Sequence, residues 1–239
     1  MTASPQKILA IIPARGGSKA IPRKNIVDFC GKPMLAWSIE HAKACPRIGR
    51  IVVSTDDDDI ADVATAWGAE VLERPAALGT DEATSESALV HVLDTLEVRD
   101  RYVPDLVVFL QATSPLRGDG DLEGAIDKLE RENADSLVSV GPFHGFLWEI
   151  TEEACRPLTY LPERRPRRQD IHAEYLAENG SFFVFRTDCL RKYDSRLGGK
   201  VTVFRQAMID SFEINDPADL VWLREMYEVK KRLTEKNPS

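Results

Sequence analysis

Residues 8–25 read ILAIIPARGGSKAIPRKN, an apolar run that leads directly into a loop of glycines and cations. The apolar run is typical of a buried β-strand, and the loop carries a Gly-Gly pair among Arg15, Lys19, Arg23 and Lys24. Open α/β sheets bind ligands beyond the carboxyl ends of their strands. There, glycines let the backbone approach a phosphate and cations neutralise its charge. The stretch therefore predicts an α/β fold whose first loop binds a nucleotide triphosphate.

The first loop is not a Walker sequence, because no Gly-Lys-Ser/Thr follows a spaced glycine. A tight turn between strand and helix, with its cations merely solvated, is the alternative interpretation. The crowding of cations at the strand end favours the phosphate-binding one.

Strand and helix patterns alternate through the first 140 residues, which favours a mostly parallel sheet with right-handed crossovers. The later strands are predicted at 51–55, 69–72, 106–111, 136–140, 181–186 and 200–205. Helices are predicted at 33–44, 57–67, 84–98, 121–132 and 216–231. We expect a single domain over residues 1–239, with a proline-rich insertion at about 142–179 that could be a lid or an arm pairing with a second subunit.

The chain has 239 residues and a net charge of −8, from 31 basic and 39 acidic side chains. An acidic balance argues against general binding to nucleic acid or to a membrane surface. No apolar run approaches the roughly 18 residues of a membrane span, and no signal-peptide core precedes the first strand. The cysteines are scattered without a Cys-x-x-Cys pair, which indicates reduced thiols and a cytoplasmic protein.

A second polar segment, QATSPLR at 111–117, directly follows a predicted buried strand. We expect its amide, hydroxyls and arginine to face the same crevice as the first loop, where they suit hydrogen bonding to a sugar or base. An ordinary polar connection is equally consistent with the segment by itself.

Two acidic segments could hold a metal. In STDDDD at 54–59 the later aspartates fit the start of a helix better than a metal site, and only Asp56 is kept near the crevice. Glu213 and Asn215 alternate on an extended segment and so share a face, where their oxygens suit Mg²⁺. Asp216 is the natural cap of the last helix, a role compatible with such a site.

A cluster of arginines occupies 164–168, in an otherwise acidic protein. Arginine binds phosphate or carboxylate groups in a two-pronged manner, so the cluster predicts an anionic ligand. A solvated surface loop is the alternative.

These segments together resemble the CMP-sialic acid synthetases (acylneuraminate cytidylyltransferases). The matching blocks occur in family order over nearly the whole chain: IPARGGSK at 12–19 with Pro22 and KN at 24–25, STD at 54–56, RP at 74–75 through Leu78 to Asp81, LQATSP at 110–115, RPRRQD at 165–170 and ENGS at 178–181. The resemblance implies a Rossmann-like nucleotidyltransferase fold with a mostly parallel central sheet. It also implies a homodimer in which a protruding arm, here at about 142–179, completes the partner's sugar pocket.

The resemblance also implies roles for individual residues. Arg15 and Lys24 match the family's triphosphate-binding cations and would be the catalytic residues. The nucleotide would be bound by Ala14, Arg15, Gly16, Ser18, Lys19, Lys24, Asn25 and Asp81. The sugar acid would be bound by Gln111, Thr113, Ser114, Arg168, Gln169 and Asn179, and Mg²⁺ by Glu213 and Asn215.

The implied reaction is attack by the anomeric hydroxyl of a nonulosonic acid on the α-phosphate of CTP, with release of pyrophosphate. N-acetylneuraminate is the favoured sugar; legionaminate-, pseudaminate- and deaminated-type sugars are alternatives. Two other classes stay open: a nucleotide-sugar glycosyltransferase of similar fold, and a nucleotide-binding regulator that has lost catalysis.

The chain departs from the family pattern in two places. Ala20 stands where relatives usually have glycine, which matters only if that position needs a positive φ. Glu213 and Asn215 stand where many members have Asp-x-Asp, and a neutral asparagine oxygen is the weaker magnesium ligand.

Overall fold

The computed structural model describes residues 6–80, 83–170 and 174–236. The strands are β1 (Ile8–Pro13), β2 (Asp28–Phe29), β3 (Lys32–Pro33), β4 (Arg50–Thr55), β5 (Glu70–Glu73), β6 (Leu106–Leu110), β7 (Ser136–Pro142), β8 (Trp148–Ile150), β9 (Cys155–Pro157), β10 (Leu176–Arg186) and β11 (Val201–Arg205). The α-helices are α1 (Met34–Ala44), α2 (Asp58–Ala66), α3 (Ser85–Asp100), α4 (Asp121–Arg131), α5 (Thr187–Tyr193) and α6 (Pro217–Lys236).

Seven strands form the central sheet, in the order β11-β7-β10-β6-β1-β4-β5. Strand β1 lies between β4 and β6 and is parallel to both. Among the strands of this sheet in the described residues, only β10 runs antiparallel to its neighbours, β6 and β7. The sheet is therefore mostly parallel, which confirms the predicted α/β fold. Because the strand order reverses around β1, the loop after β1 opens into the crevice where such sheets bind ligands.

Both faces of the sheet are covered, which explains why β1 is apolar without alternation. Ile8, Ala10 and Ile12 pack with buried residues of α1, α2 and α4 on one face. Leu9 and Ile11 pack with α3 and α5 on the other. Each fully buried side chain of this kind stabilises the fold by about 1.5–3 kcal/mol.

The local sequence signals predicted most element boundaries. Asp57 caps α2, its carboxylate accepting the N–H of Ile60 at 3.0 Å, as expected for the acidic run. Helix α5 and the short β2–β3 pair were not predicted. Strand β10 begins at Leu176 rather than at residue 181, since an irregular register between Glu178 and Phe183 lets a poor strand-forming segment remain in the sheet.

The insertion carries its own two-stranded ribbon, formed by antiparallel β8 and β9. Because β7 extends to Pro142 and β10 starts at Leu176, the described residues 143–170 and 174–175 lie outside the main sheet, and we call them the arm. Trp148 packs edge-on against Tyr160, as does Phe146. Several large apolar side chains of the arm are nevertheless exposed: Leu147, Trp148, Ile150, Leu158 and Leu161.

The helices in the described part of the chain lack the combination of length and apolar character needed to cross a membrane.

Candidate active site

Backbone and side-chain hydrogen bonds hold the first loop against the ends of neighbouring strands. The Gly16 N–H donates to Asp56 Oδ1 at 3.2 Å, and Asn25 Nδ2 donates to the Arg15 carbonyl at 2.9 Å. Arg15 Nη1 donates to the Thr80 carbonyl at 3.0 Å. Asn25 therefore shapes the loop, and Asp56, the member of the acidic run kept near the crevice, does lie there.

The rest of the loop is more exposed. Ser18 is half-buried with its N–H donating to the Gly16 carbonyl at 3.1 Å, and Lys19 is exposed. Ala14 is buried beneath them, its N–H bonded to the Ser54 carbonyl at 2.9 Å. Ala20 does not have a positive φ, so its replacement of the usual glycine introduces no backbone strain.

Lys24 joins the first loop to the predicted metal segment. Its ammonium group donates to the carbonyl of Ile214 at 3.2 Å, across a sequence separation of 190 residues. Burial lowers the pKa of Lys24 from its ordinary value, and the neighbouring charge of Glu213 acts in the opposite direction. The cation predicted to bind triphosphate and the carboxylate predicted to bind metal therefore lie side by side.

The segment before α6 presents few free ligands. Asn215 Nδ2 donates to Glu213 Oε1 at 2.7 Å, so the two predicted metal residues face each other. Asp216 Oδ1 accepts the N–H of Ala218 at 2.7 Å and Asp219 Oδ2 accepts that of Asn215 at 2.8 Å. Asp216 and Asp219 thus cap α6 reciprocally. Within residues 6–80, 83–170 and 174–236, no group of three or more His, Cys, Asp or Glu side chains forms a metal cage.

One carboxylate and one amide oxygen on an open segment fit Mg²⁺ that arrives with nucleotide phosphates. Such an ion keeps most of its water and phosphate ligands and needs only one or two from the protein. These residues do not fit a metal held by the protein alone.

Arg117 corrects the expectation that the whole 111–117 segment faces the crevice. Its side chain is only 1% exposed. It donates to Ser38 Oγ at 2.9 Å and to the carbonyls of Gln111 and Ser181 at 2.5 and 2.6 Å. Burial lowers its pKa to about 9. The guanidinium is thus an internal brace for the segment.

The other polar groups of residues 111–117 differ in their roles, since some support the fold and others lie near the crevice. The Thr113 carbonyl accepts the N–H of Ile214 at 2.8 Å, which ties the segment to the metal residues. Ser114 is buried, and its hydroxyl has no hydrogen-bond partner in the described part of the chain. Gln111 is half-buried, with its amide beside Gly180.

Gly180 sits where β10 passes between Gln111 and Glu213. Its φ is +64°, and a Cβ there would lie 2.7 Å from Glu213 Oε2 and 3.0 Å from Gln111 Nε2. Glycine suits this position, because side chains rarely adopt a positive φ and a Cβ here would force the ends of the Glu213 and Gln111 side chains to shift. Asn179, beside it, uses its carbonyl oxygen to accept from Ser139 Oγ at 2.7 Å and from the Ser181 N–H at 3.2 Å. The Asn179 side chain therefore supports the strand from within.

A cleft of about 350 Å³ opens at this point, and its charged lining residues in the described part of the chain are carboxylates. Residues from β7, β10 and the segment before α6 line it, among them Gly141, Glu178, Gly180, Phe212, Glu213 and Asp219. An anionic sugar bound here needs a cation from elsewhere, because unpaired like charges repel.

The structure leaves part of the predicted substrate set away from this cleft. Gln169 is exposed on the arm. In the same cluster Arg167 pairs with Asp170 at 2.7 Å, and Arg165 stacks over Phe146 at 4.5 Å. Asp81 and the side chain of Arg168 lie outside the described residues.

Arg74 is a buried cation whose position the sequence did not reveal. Its guanidinium donates to the Ser54 carbonyl at 2.6 Å and to Ser54 Oγ at 3.2 Å, at the carboxyl end of β4. Burial lowers its pKa, while Asp56 acts to raise it. The sequence feature that could have indicated its position is the Arg74-Pro75 pair, which closely follows the strand predicted at 69–72.

The fold is shared with nucleotidyltransferases. The solved structure of a CMP:2-keto-3-deoxy-manno-octonic acid synthetase complexed with CTP superposes with a TM-score of 0.71, covering 94% of this chain and 100% of that chain at 20% sequence identity. At that identity the likeness shows the fold, an α/β fold of the kind found in nucleotidyltransferases.

Sequence comparison identifies the family. A family model described as cytidylyltransferase matches residues 9–237, so the chain belongs to the cytidylyltransferase family. An N-acylneuraminate cytidylyltransferase of Oncorhynchus mykiss is 34% identical over 221 residues, which cover 90% of this chain and 48% of that protein. A pseudaminic acid cytidylyltransferase of Campylobacter jejuni is 41% identical over 138 residues, covering 57% of this chain and 59% of that protein.

These matches confirm the resemblance drawn from the sequence blocks. The chain spans about half the length of the N-acylneuraminate relative.

Proposed function

We propose that this chain transfers CMP from CTP to the anomeric hydroxyl of a nonulosonic acid, releasing pyrophosphate. The observation that carries the proposal is Lys24, which lies in the first loop and contacts the Ile214 carbonyl between Glu213 and Asn215. A triphosphate bound by the first loop would therefore lie directly beside Glu213 and Asn215, the residues proposed to bind Mg²⁺. The identity to N-acylneuraminate and pseudaminic acid cytidylyltransferases supports the same reaction.

In this proposal catalysis depends on positioning and charge neutralisation, the main requirements of phosphoryl-type transfer. Arg15 and Lys24 stabilise the charge that builds on the departing pyrophosphate. Ser18 offers its hydroxyl to the phosphates, and Ala14 and Gly16, whose N–H groups are bonded to Ser54 and Asp56, shape the loop around them. Lys19, Asn25 and Asp81 are assigned to the same nucleotide. Mg²⁺, when bound with CTP at Glu213 and Asn215, supplies further neutralisation of phosphate charge.

The sugar acid is assigned to the cleft beside Gly180, next to which the Gln111 amide lies. Thr113 and Ser114 are assigned to the same sugar. Because the charged lining of the cleft is acidic, the sugar carboxylate needs an added cation. We assign this role to the arm of a partner subunit in a homodimer, whose Arg168 and Gln169 would enter the cleft. The exposed apolar side chains of the arm support burial against a second copy.

N-acetylneuraminate is the proposed sugar, since the relative aligned over 90% of the chain is an N-acylneuraminate enzyme. A pseudaminate-type sugar is the second candidate, favoured by the higher identity over a shorter region. We assign the reaction to a single domain over 1–239 acting in the cytoplasm, a location consistent with four free cysteines.

The test is pyrophosphate release from CTP and Mg²⁺ with a panel of sugar acids: N-acetylneuraminate, its deaminated analogue, a legionaminate and a pseudaminate, with a no-sugar control. We expect release with one sugar and its loss in Arg15→Ala. Arg131→Ala, an exposed arginine at the end of α4, is the matched control and should retain the rate. CTP binding without release for any sugar would reject the proposal and favour a regulator.

A further inference from the structure

Two hydrogen-bond paths meet at Ser181, the residue after Gly180. On one side Arg117 Nη2 donates to the Ser181 carbonyl at 2.6 Å. On the other, the Ser181 N–H donates to Asn179 Oδ1 at 3.2 Å. Both backbone polar groups of Ser181 are therefore held, and with them the course of β10 past the cleft.

The second path continues inward through buried side chains. Asn179 Nδ2 donates to Gln206 Oε1 at 2.8 Å, and Gln206 Nε2 donates to Asp121 Oδ2 at 2.6 Å. The same carboxylate oxygen accepts the Gly118 N–H at 2.9 Å. Gln206 follows β11 and is 2% exposed, and Asp121 begins α4. We call the series Asp121, Gln206 and Asn179 the relay.

The direction of each bond in the relay is fixed from its ends. The Ser181 N–H can only donate, so Asn179 must turn its oxygen toward it. The Ser139 hydroxyl accepts the Phe182 N–H at 3.0 Å, so it donates its own proton to the same Asn179 oxygen. The Asn179 amide nitrogen must then face Gln206, whose own nitrogen must face an acceptor. An ionised carboxylate, which only accepts, satisfies this condition at position 121.

We propose that Asp121 and Gln206 are positioning residues for the sugar acid, acting through Asn179 to hold Gly180 between Gln111 and Glu213. The kinetic part of this inference rests on the proposed function. Gly180 lies close to both side chains, because a Cβ at this position would be 2.7 Å from Glu213 Oε2 and 3.0 Å from Gln111 Nε2, so the course of β10 here sets the space between them. Asp121 also links the two paths, since its charge opposes the lowering of the Arg117 pKa that burial causes.

Gln206→Met tests the relay because it keeps the side-chain length and removes both hydrogen bonds. We expect the KM for the sugar acid to rise about tenfold, corresponding to roughly 1.4 kcal/mol, while the KM for CTP changes less than about twofold. Thr187→Val is the matched control. It removes the buried 2.6 Å bond from Thr187 Oγ1 to the Pro104 carbonyl beyond the far end of β10, so it should lower stability and leave both KM values unchanged.

A second pair of variants tests the direction of the relay. Gln206→Glu keeps an oxygen for Asn179 but sets a second carboxylate against Asp121, and should impair sugar binding. Adding Asp121→Asn supplies a donor at position 121 and removes the charge conflict, at the expense of the Gly118 N–H bond. We expect the double variant to bring the sugar KM back to within about threefold of the wild type, a coupling that independent sites do not show.

Amide hydrogen exchange of residues 177–183, measured without substrate, tests the relay independently of activity. Gln206→Met should speed exchange at Ser181 and Phe182 about tenfold, and Thr187→Val should leave it unchanged. A wild type that releases no pyrophosphate with any sugar acid rejects the proposed function. Unchanged exchange at Ser181, or equal rises of both KM values, rejects the relay.

Discussion

The two loops that follow β1 and β6 both open into the ligand crevice, but they are built in opposite ways. The cations of the loop after β1 are exposed or half-buried. The segment after β6 is largely buried and braced by Arg117, whose guanidinium donates to Ser38 Oγ and to the carbonyls of Gln111 and Ser181. The cations of the first loop are thus partly or fully exposed, whereas the charge of the second is buried and stabilises the fold.

This contrast predicts the largest effect on catalysis for Lys24. Lys24→Ala should lower the rate of pyrophosphate release by about 10²–10³-fold, as for other groups that stabilise charge in a transition state, with little change in the free energy of unfolding. Lys43→Ala is the control, since Lys43 bonds the Trp67 carbonyl on an exposed surface. If Lys24→Ala lost much stability but kept a normal rate of pyrophosphate release, the first loop would be a structural element like the second.

Arg117 should show the opposite pattern. Arg117→Met removes the short, charge-assisted bonds to the carbonyls of Gln111 and Ser181 and leaves them only longer bonds, including those from Ser38 Oγ at 3.2 Å and from the Gln111 N–H at 3.3 Å. We therefore expect a loss of about 3 kcal/mol in the free energy of unfolding. Urea denaturation measures it, with exposed Arg131→Met as the control. The KM for CTP should stay unchanged. If Arg117→Met lowers the free energy of unfolding no more than Arg131→Met does, Arg117 does not brace the second loop.

Asn215 provides a third comparison, within the metal segment. Asn215→Asp replaces a neutral ligand by a charged one, so Mg²⁺ affinity of the CTP-bound protein should rise about tenfold. Calorimetric titration of Mg²⁺ measures this apart from turnover. An unchanged affinity would place the ion elsewhere than Glu213 and Asn215.

The pKa of Lys24 gives the first loop a pH dependence. Its charge is lost as the pH rises through its pKa, and burial sets that pKa below the ordinary lysine value of 10.5. Activity should therefore fall on the alkaline side sooner than an exposed lysine would allow. Lys24→Arg keeps its charge at high pH, so the alkaline fall in the rate should move to higher pH. If the fall stays at the same pH, a group other than Lys24 causes it.

The smallest effect is expected at Arg23. Its guanidinium pairs with Asp57 at 2.9 Å and also with Asp59, but 42% of its side chain is exposed. Exposed ion pairs contribute about 0–1 kcal/mol, so Arg23→Ala should change the free energy of unfolding by less than about 1 kcal/mol. If Arg23→Ala lowered the free energy of unfolding as much as Arg117→Met, the first loop would stabilise the fold as strongly as the second.

The site was only partly readable from the sequence. The loops of Arg15, Lys24 and Gln111 were predicted from residue type and strand-end position, and Glu213 from its alternation with Asn215. The structure brings Lys24 and Gln111 close to Glu213. Arg117 was expected at the crevice and is buried. The relay through Gln206 had no local signal, because Asn179 and Asp121 are far from it in sequence.

The sequence by itself determined the main strands and helices of this protein, although not α5 or the β2–β3 pair. The apolar run of β1, the aspartate cap of α2 and the alternation of strands and helices depend on neighbours a few residues away, so local patterns were sufficient. Tertiary structure decided what the polar side chains do. Whether a cation such as Arg117 or Lys24 meets a ligand or a backbone carbonyl depends on burial and on partners up to 190 residues distant, and residue type alone does not encode those.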